Sequence, residues 1–248
     1  MINMFHPKNS ITAGFALALL IASSASIAAD KAKKAKDQPT TPAIVSAAAS
    51  APISDFTSPE ALKLRGGPGS AVAGQDKAAL CQGCHGEEGI STEPLIPKLA
   101  GQYGNYISKQ VRNYQAGIRT HQIMGAVAAT VTEDELADIG AFFANKPMMK
   151  GNGAGANNQL GKDLFLNGDM SRMLVACVNC HGTNGKGKTP ENAAFPVIGG
   201  QHKEYLLGQL VNFRLGDRSN SPGGVMNIMV QRLNDAELEA LAEYISGL

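Results

Sequence analysis

The chain has 248 residues, room for one large domain or two small ones, and sets 22 Lys and Arg against 21 Asp and Glu for a net charge of +1. That balance excludes a non-specific nucleic-acid binder, which depends on a strong basic field. With no Trp, 5% aromatics and 28 glycines, two protein-only cores would be short of large apolar side chains, so something else is expected to fill them.

Residues 1–28 read as a secretory signal peptide. A short polar start with Lys8 precedes the apolar run ITAGFALALLIA at 11–22, and Ser26-Ile27-Ala28 has the small-x-small pattern of a cleavage site. The run is shorter than the ~20 residues that span a bilayer, so cleavage is favoured over retention as an anchor. No Cys near residue 28 offers a lipid attachment. An exported, periplasmic chain is expected. Residues 29–65 are rich in Ala, Pro, Ser and Thr, with Lys31, Lys33, Lys34 and Lys36 close together. They read as a disordered tether, a solvated linker in preference to a membrane-surface contact.

Beyond residue 65 the chain repeats itself. Cys81-Gln-Gly-Cys84-His85 returns as Cys177-Val-Asn-Cys180-His181 at an offset of 96. Ile96–Gln102 returns as Phe195–Gln201, and Tyr106, Gln110, Asn113, Gly117 and Arg119 return as Tyr205, Gln209, Asn212, Gly216 and Arg218, all at an offset of 99. Thr132–Leu136 returns as Asn234–Leu238 at an offset of 102. Such self-similarity marks a duplicated unit, here 66–150 and 151–248, joined by the Gly/Asn-rich stretch 151–158.

Both units read as helical. Thr132 with Glu135 and Asn234 with Glu237 form capping boxes, each ahead of an apolar stripe: Leu136, Ile139, Phe142 and Phe143, then Leu238, Leu241, Ile245 and Leu248. The segments 103–116 and 202–215 are amphipathic and stop at Gly117 and Gly216. No alternating strand pattern appears. The predicted class is all-α, two tandem units each wrapped around one prosthetic group.

That group follows from the cysteines. C-x-x-C-H is the attachment signature of c-type haem: two thiols bond the porphyrin and the adjacent His meets the iron. Zinc would use paired C-x-x-C motifs at short spacing, and a thioredoxin-like dithiol would sit in a βαβ pattern. Here the two motifs lie about 95 residues apart, each carries its own His, and together they use all four cysteines. Two covalent haem c groups are expected, on Cys81 and Cys84 and on Cys177 and Cys180, with iron bound by His85 and His181.

A second axial ligand on each iron would make an electron carrier, and Met raises the potential relative to His. Of nine methionines, only Met124 and Met226 coincide at the 102 offset, eight residues before their capping residues. Met229 maps onto Val127 instead. Met is usually core filler, but at this matched pair ligation is favoured. His121, three residues before Met124, faces Gly223 in the repeat and reads as a surface or propionate-near residue. His202 reads as an exposed helix start. Pro97 and Pro196 stand 12 and 15 residues after their His, and a carbonyl beside such a fixed residue suits the imidazole's other N–H. Arg119 and Arg218 are candidates for neutralising haem propionates, with a solvated surface role equally open. Gly182–Thr189 matches a phosphate-binding loop, yet it begins one residue after the haem His and lacks the strand-to-helix setting that motif needs.

The two C-x-x-C-H motifs, the paired P-x-[LI]-[AG]-G-Q segments, the Y-x-x-x-Q-[VL]-x-N-[YF]-x-x-G-x-R helices and the two matched methionines together resemble the cytochrome c4 family over about residues 70–248. The resemblance implies two class I cytochrome c domains packed head to head, each iron His/Met ligated. It implies a periplasmic carrier, often in peripheral association with the membrane, placed between a quinol-oxidising complex and a terminal oxidase of a respiratory chain. The tether is longer than the family leads one to expect. Two rivals differ in class. A cytochrome subunit of a dehydrogenase or oxidase complex shares every motif, whereas a dihaem peroxidase needs one iron with an open distal side, against which the matched methionines argue. The units carry net charges of −1 each, so no strong charge dipole steers docking.

Overall fold

The computed structural model describes residues 58–188 and 194–248; the expected signal peptide and residues 29–57 of the tether lie outside the described residues. The first helix nevertheless starts inside the stretch assigned to the tether. Ser58 Oγ accepts from Ala61 N at 3.2 Å, and Pro59 takes the first helical position, where its missing N–H costs nothing. The resulting α1 (Pro59–Gly66) buries Ala61 and Arg65 against later helices. The tether reading is therefore corrected for residues 59–65, because a local cap and one small buried face are enough to add a helix.

The first repeat continues with α2 (Ala71–Lys77), α3 (Ala79–His85), α4 (Gly104–Gln115), α5 (Gln122–Ala128) and α6 (Glu133–Ala144). The second supplies α7 (Gln159–Asn167), α8 (Val178–His181), α9 (Lys203–Leu215), α10 (Val225–Val230) and α11 (Asp235–Gly247). Among the described residues the only extended pairings are the isolated bridges Arg119–Arg218 and Asp169–Leu174. The fold is all-α. The main helix contacts run within α1–α6 and within α7–α11.

The capping boxes start α6 and α11. Glu135 accepts from Thr132 N at 2.8 Å, and Glu237 exchanges bonds of 2.9 Å with Asn234 in both directions. Each satisfies helix-end N–H groups that would otherwise go unpaired. Their stripes face inward: Leu136, Ile139, Phe142 and Phe143 are buried on α6, and Leu238, Leu241 and Ile245 on α11. Helices α2 and α7 cross these long helices at Gly74 and Gly161. A Cβ at Gly74 would collide with the Asp138 carbonyl, and one at Gly161 with the Ala240 carbonyl, so only glycine permits the close approach.

The two crossings are equivalent, and they expose an insertion that the 96-residue offset does not show. Seven residues separate Gly74 from Cys81, but sixteen separate Gly161 from Cys177. The extra chain forms a small hairpin: Asp169 pairs with Leu174 around a 3-10 turn at Met170–Arg172. Met173, at φ 55°, is the only non-glycine with positive φ among the described residues. Arg172 holds the hairpin down, bonding Asp169 at 2.7 Å, Glu237 at 2.8 Å and the Arg232 carbonyl at 3.0 Å.

Candidate functional site

Each Cys–His motif occupies about one helical turn. Cys81, Cys84 and His85 lie in α3; Cys180 and His181 lie in α8, with Cys177 as its N-cap. Spacings of three and four residues bring two thiols and an imidazole to one side of a turn. Gly86 and Gly182, at φ 84° and 79°, end these turns immediately after the His. No disulfide joins any of the four cysteines. Burial pushes the Cys81 thiol up and the Cys177 thiol up to about 11.

Both imidazoles are buried. His85 Nδ1 lies 2.7 Å from the Pro97 carbonyl oxygen, and His181 Nδ1 lies 2.9 Å from that of Pro196. A carbonyl only accepts, so Nδ1 carries the proton and Nε2 presents its lone pair. Burial holds both rings below the usual histidine range, with the carbonyl bond acting the other way. The neutral imidazole is the metal-binding form. Among the described residues no group of three or more His, Cys, Asp or Glu side chains is arranged to hold a metal ion. Two thiols and one buried neutral imidazole on a single turn suit a haem, whose ring would supply four nitrogens and ask the protein for axial ligands and two thiols. The residues present fit the group.

Met124 lies in α5 and Met226 in α10, both half-buried. Met226, like Cys177 and Val178, packs against the second repeat's core. The exposed His121 caps α5, its Nδ1 accepting from Met124 N at 3.2 Å; in α10 Ser221 Oγ takes the corresponding place with Met226 N at 3.2 Å.

The second Cys–His loop turns its phosphate-loop lookalike to another use. Lys186 Nζ donates to the carbonyls of Met149 and Gly199 at 2.6 Å and of Leu248 at 3.0 Å, and burial pushes it down to about 8. Its ammonium ties three segments together instead of facing a phosphate.

Arg119 and Arg218 are buried between the repeats, which corrects the solvated-surface alternative. Arg119 donates to Gln110 of its own repeat at 2.8 Å, and to Gln209 at 2.8 Å and Tyr205 at 3.1 Å of the other. Arg218 mirrors it, donating to Gln209 at 2.7 Å, Tyr106 at 3.0 Å and Gln110 at 3.3 Å. Each guanidinium also stacks on a ring of its own repeat, Arg119 on Tyr114 and Arg218 on Phe213. No carboxylate pairs with either among the described residues. Burial acts to raise the Tyr106 phenol, but Arg218 and Arg119 outweigh it and hold the phenol below its ordinary value. The Gln110 amide nitrogen is buried without a partner among the described residues.

His202 is half-buried, not exposed as expected. Its Nε2 lies 3.0 Å from both the hydroxyl and the carbonyl oxygen of Ser91 in the other repeat. Nothing within three or four residues of His202 signals this, since its partner stands 111 residues away.

A family model described as Cytochrome c matches residues 159–248. Cytochrome c4 of Pseudomonas aeruginosa is 38% identical over 73% of this chain and 89% of its own length. The chain belongs to the cytochrome c4 family. A crystal structure of reduced recombinant cytochrome c4 from Pseudomonas stutzeri is 36% identical, with a TM-score of 0.68, covering 73% of this chain and 99% of that one. A relative named thiosulfate dehydrogenase electron acceptor, from Stutzerimonas stutzeri, is 32% identical over 71% of this chain and 82% of its own length. As a member of the cytochrome c4 family, the chain carries covalently attached haem c in two sites, and it is an electron-transfer protein, not an enzyme.

Proposed function

We propose that residues 66–150 and 151–248 are two haem domains of an exported, periplasmic carrier, which takes electrons from a quinol-oxidising complex and passes them to a terminal oxidase. His85 with Met124, and His181 with Met226, are the axial pairs; Cys81, Cys84, Cys177 and Cys180 form the thioethers. The observation that carries this reading is the matched pair of buried imidazoles, each with Nδ1 on a proline carbonyl.

When bound, haem supplies a one-electron couple at iron. The chain's residues do the rest. Pro97 and Pro196 keep the proton on Nδ1, fix the ring plane and leave Nε2 free to ligate. The methionine thioethers favour the reduced state and so set a high potential. Phe143 and Phe165, both fully buried, would help keep water out of the core on which a bound haem packs, so that little solvent reorganises when charge changes. Arg119 and Arg218, both buried, would offer positive charge to the haem propionates.

Purified protein is expected to show two haems per chain and a fully low-spin His/Met spectrum. Met124→His and Met226→His should each lower one step of the redox titration and leave the other in place. A high-spin fraction, or a single haem, would overturn the ligand assignment. N-terminal sequencing of exported protein tests cleavage after residue 28.

A second reading concerns the upstream partner. Similarity to a thiosulfate dehydrogenase electron acceptor favours an oxidising enzyme as donor, with the chain as its cytochrome subunit or diffusible acceptor. Reduction of the purified chain by thiosulfate plus that class of enzyme, compared with reduction by a quinol-oxidising complex, separates the two.

A further inference from the structure

The peptide group that receives each haem histidine also bonds across to the opposite repeat. In the first repeat, the Pro97 carbonyl accepts from His85 Nδ1, and the N–H of the same peptide unit, on Lys98, donates to Gln201 Oε1 at 2.8 Å. In the second, the Pro196 carbonyl accepts from His181 Nδ1, and the Val197 N–H donates to Gln102 Oε1 at 3.0 Å. Each glutamine closes the contact with its amide nitrogen, Gln201 on the Lys98 carbonyl at 2.9 Å and Gln102 on the Val197 carbonyl at 2.8 Å. Its own repeat steadies the acceptor oxygen: the His202 N–H donates to Gln201 Oε1 at 3.0 Å, and the Tyr103 N–H to Gln102 Oε1 at 3.1 Å. Both glutamines are buried, at 4% and 5% exposure, so water does not compete for these bonds.

We propose that Gln201 and Gln102 are crossed positioning residues: Gln201 tunes the iron held by His85, and Gln102 the iron held by His181, each through one peptide unit of the opposite repeat. An amide whose N–H is taken by a strong acceptor carries more negative charge on its carbonyl oxygen, because hydrogen bonds polarise one another in series. That oxygen then pulls harder on the imidazole N–H. The imidazole becomes more electron-rich and stabilises the oxidised iron. Each glutamine thus lowers the potential of the haem in the other repeat, and the interface that docks the repeats also sets the two potentials.

This rests on His85 and His181 as iron ligands. It is tested in the full holoprotein by spectroelectrochemical titration, with each haem assigned through the Met124→His and Met226→His variants. Gln201→Met is expected to raise the midpoint of the haem on His85 more than that of the haem on His181, and Gln102→Met to do the reverse. Gln201→Glu keeps an acceptor oxygen, so the His85 haem should stay at or below its original midpoint. That variant carries the test if the methionine variant does not fold. The proposal is overturned if the larger shift falls in the substituted residue's own repeat, if both haems shift equally, if folded Gln201→Met shifts neither, or if Gln201→Glu raises the His85 haem. A two-haem low-spin spectrum without the crossed shift defeats the crossing and leaves the ligation intact; loss of that spectrum in the unsubstituted chain defeats the ligation.

Discussion

The two repeats share a haem motif, a proline-bonded imidazole and a capping box, yet they bury very different cores. In the second, Leu164, Phe165, Leu174, Leu206, Phe213, Val230, Leu233, Leu238, Leu241, Tyr244 and Ile245 form one contiguous apolar cluster, extended by the hairpin that delivers Leu174. In the first, the largest cluster is Ala78, Ile107, Ile139, Phe142 and Phe143, with Leu136, Tyr103 and Met149 buried apart from it. Burial of apolar area is the main favourable term in folding, and small units have little of it to spare. The first repeat therefore leans harder on its haem and on its neighbour, while the second can hold part of its shape with side chains alone.

The sharpest way to break that comparison is to remove haem attachment from one repeat at a time. Replacing both Cys81 and Cys84 with Ser should abolish native folding of the first repeat. Replacing both Cys177 and Cys180 should do the same to the second but leave more residual helix, read by circular dichroism and hydrogen exchange. A natively folded repeat in either variant refutes the claim that haem completes the core. Next in size is Phe143→Ala. Phe143 is fully buried on α6 in the smaller cluster, and the loss of a core Phe costs about 3–5 kcal/mol. Thermal unfolding should show the first repeat melting on its own, ahead of the second. If the two continue to unfold in one step, the interface and not the core governs the first repeat's stability.

The smallest effect concerns the hairpin that only the second repeat has. Glu237 is held below the usual carboxylate range, first by Arg172 and then by the Asn234 N–H. A carboxylate with a lowered folded-state pKa adds stability above its ordinary pKa and loses it as pH falls through the lowered value. Acid should therefore loosen the second repeat's hairpin, seen as faster amide exchange at residues 169–174. In Glu237→Gln the hairpin should be weaker at neutral pH and respond less to acid in that window, the remainder coming from Asp169, which Ser171 and Arg172 also hold low. An unchanged acid response would assign the sensitivity to another carboxylate, such as Asp169.

Much of this molecule was legible before any coordinate. Motifs, caps and apolar stripes act over three to seven residues, so α6, α11 and the placement of thiols and imidazoles on single turns could be read directly. Self-comparison added reach: it singled out Met124 and Met226 among nine methionines and paired Pro97 with Pro196. It also displayed Gln102 and Gln201 as matched positions, a signal available in the sequence and assigned no role there. The start of α1 at Ser58 was missed because composition over a long Ala- and Pro-rich window outweighed one local cap. The hairpin was missed because it falls before the Cys–His motif, where the repeats no longer align.

What the sequence alone determined was the class of cofactor, its mode of attachment and the all-helical framework, because each depends on residues close together in the chain. What only the tertiary structure decided was the relation between the repeats. Arg119 meets Tyr205, His202 meets Ser91, and each glutamine reaches the peptide beneath the other repeat's histidine, across separations of 86 to 111 residues. No local propensity encodes such pairings. They exist because two small units leave polar groups at one shared face, and docking that face is the arrangement in which nearly all of them find partners.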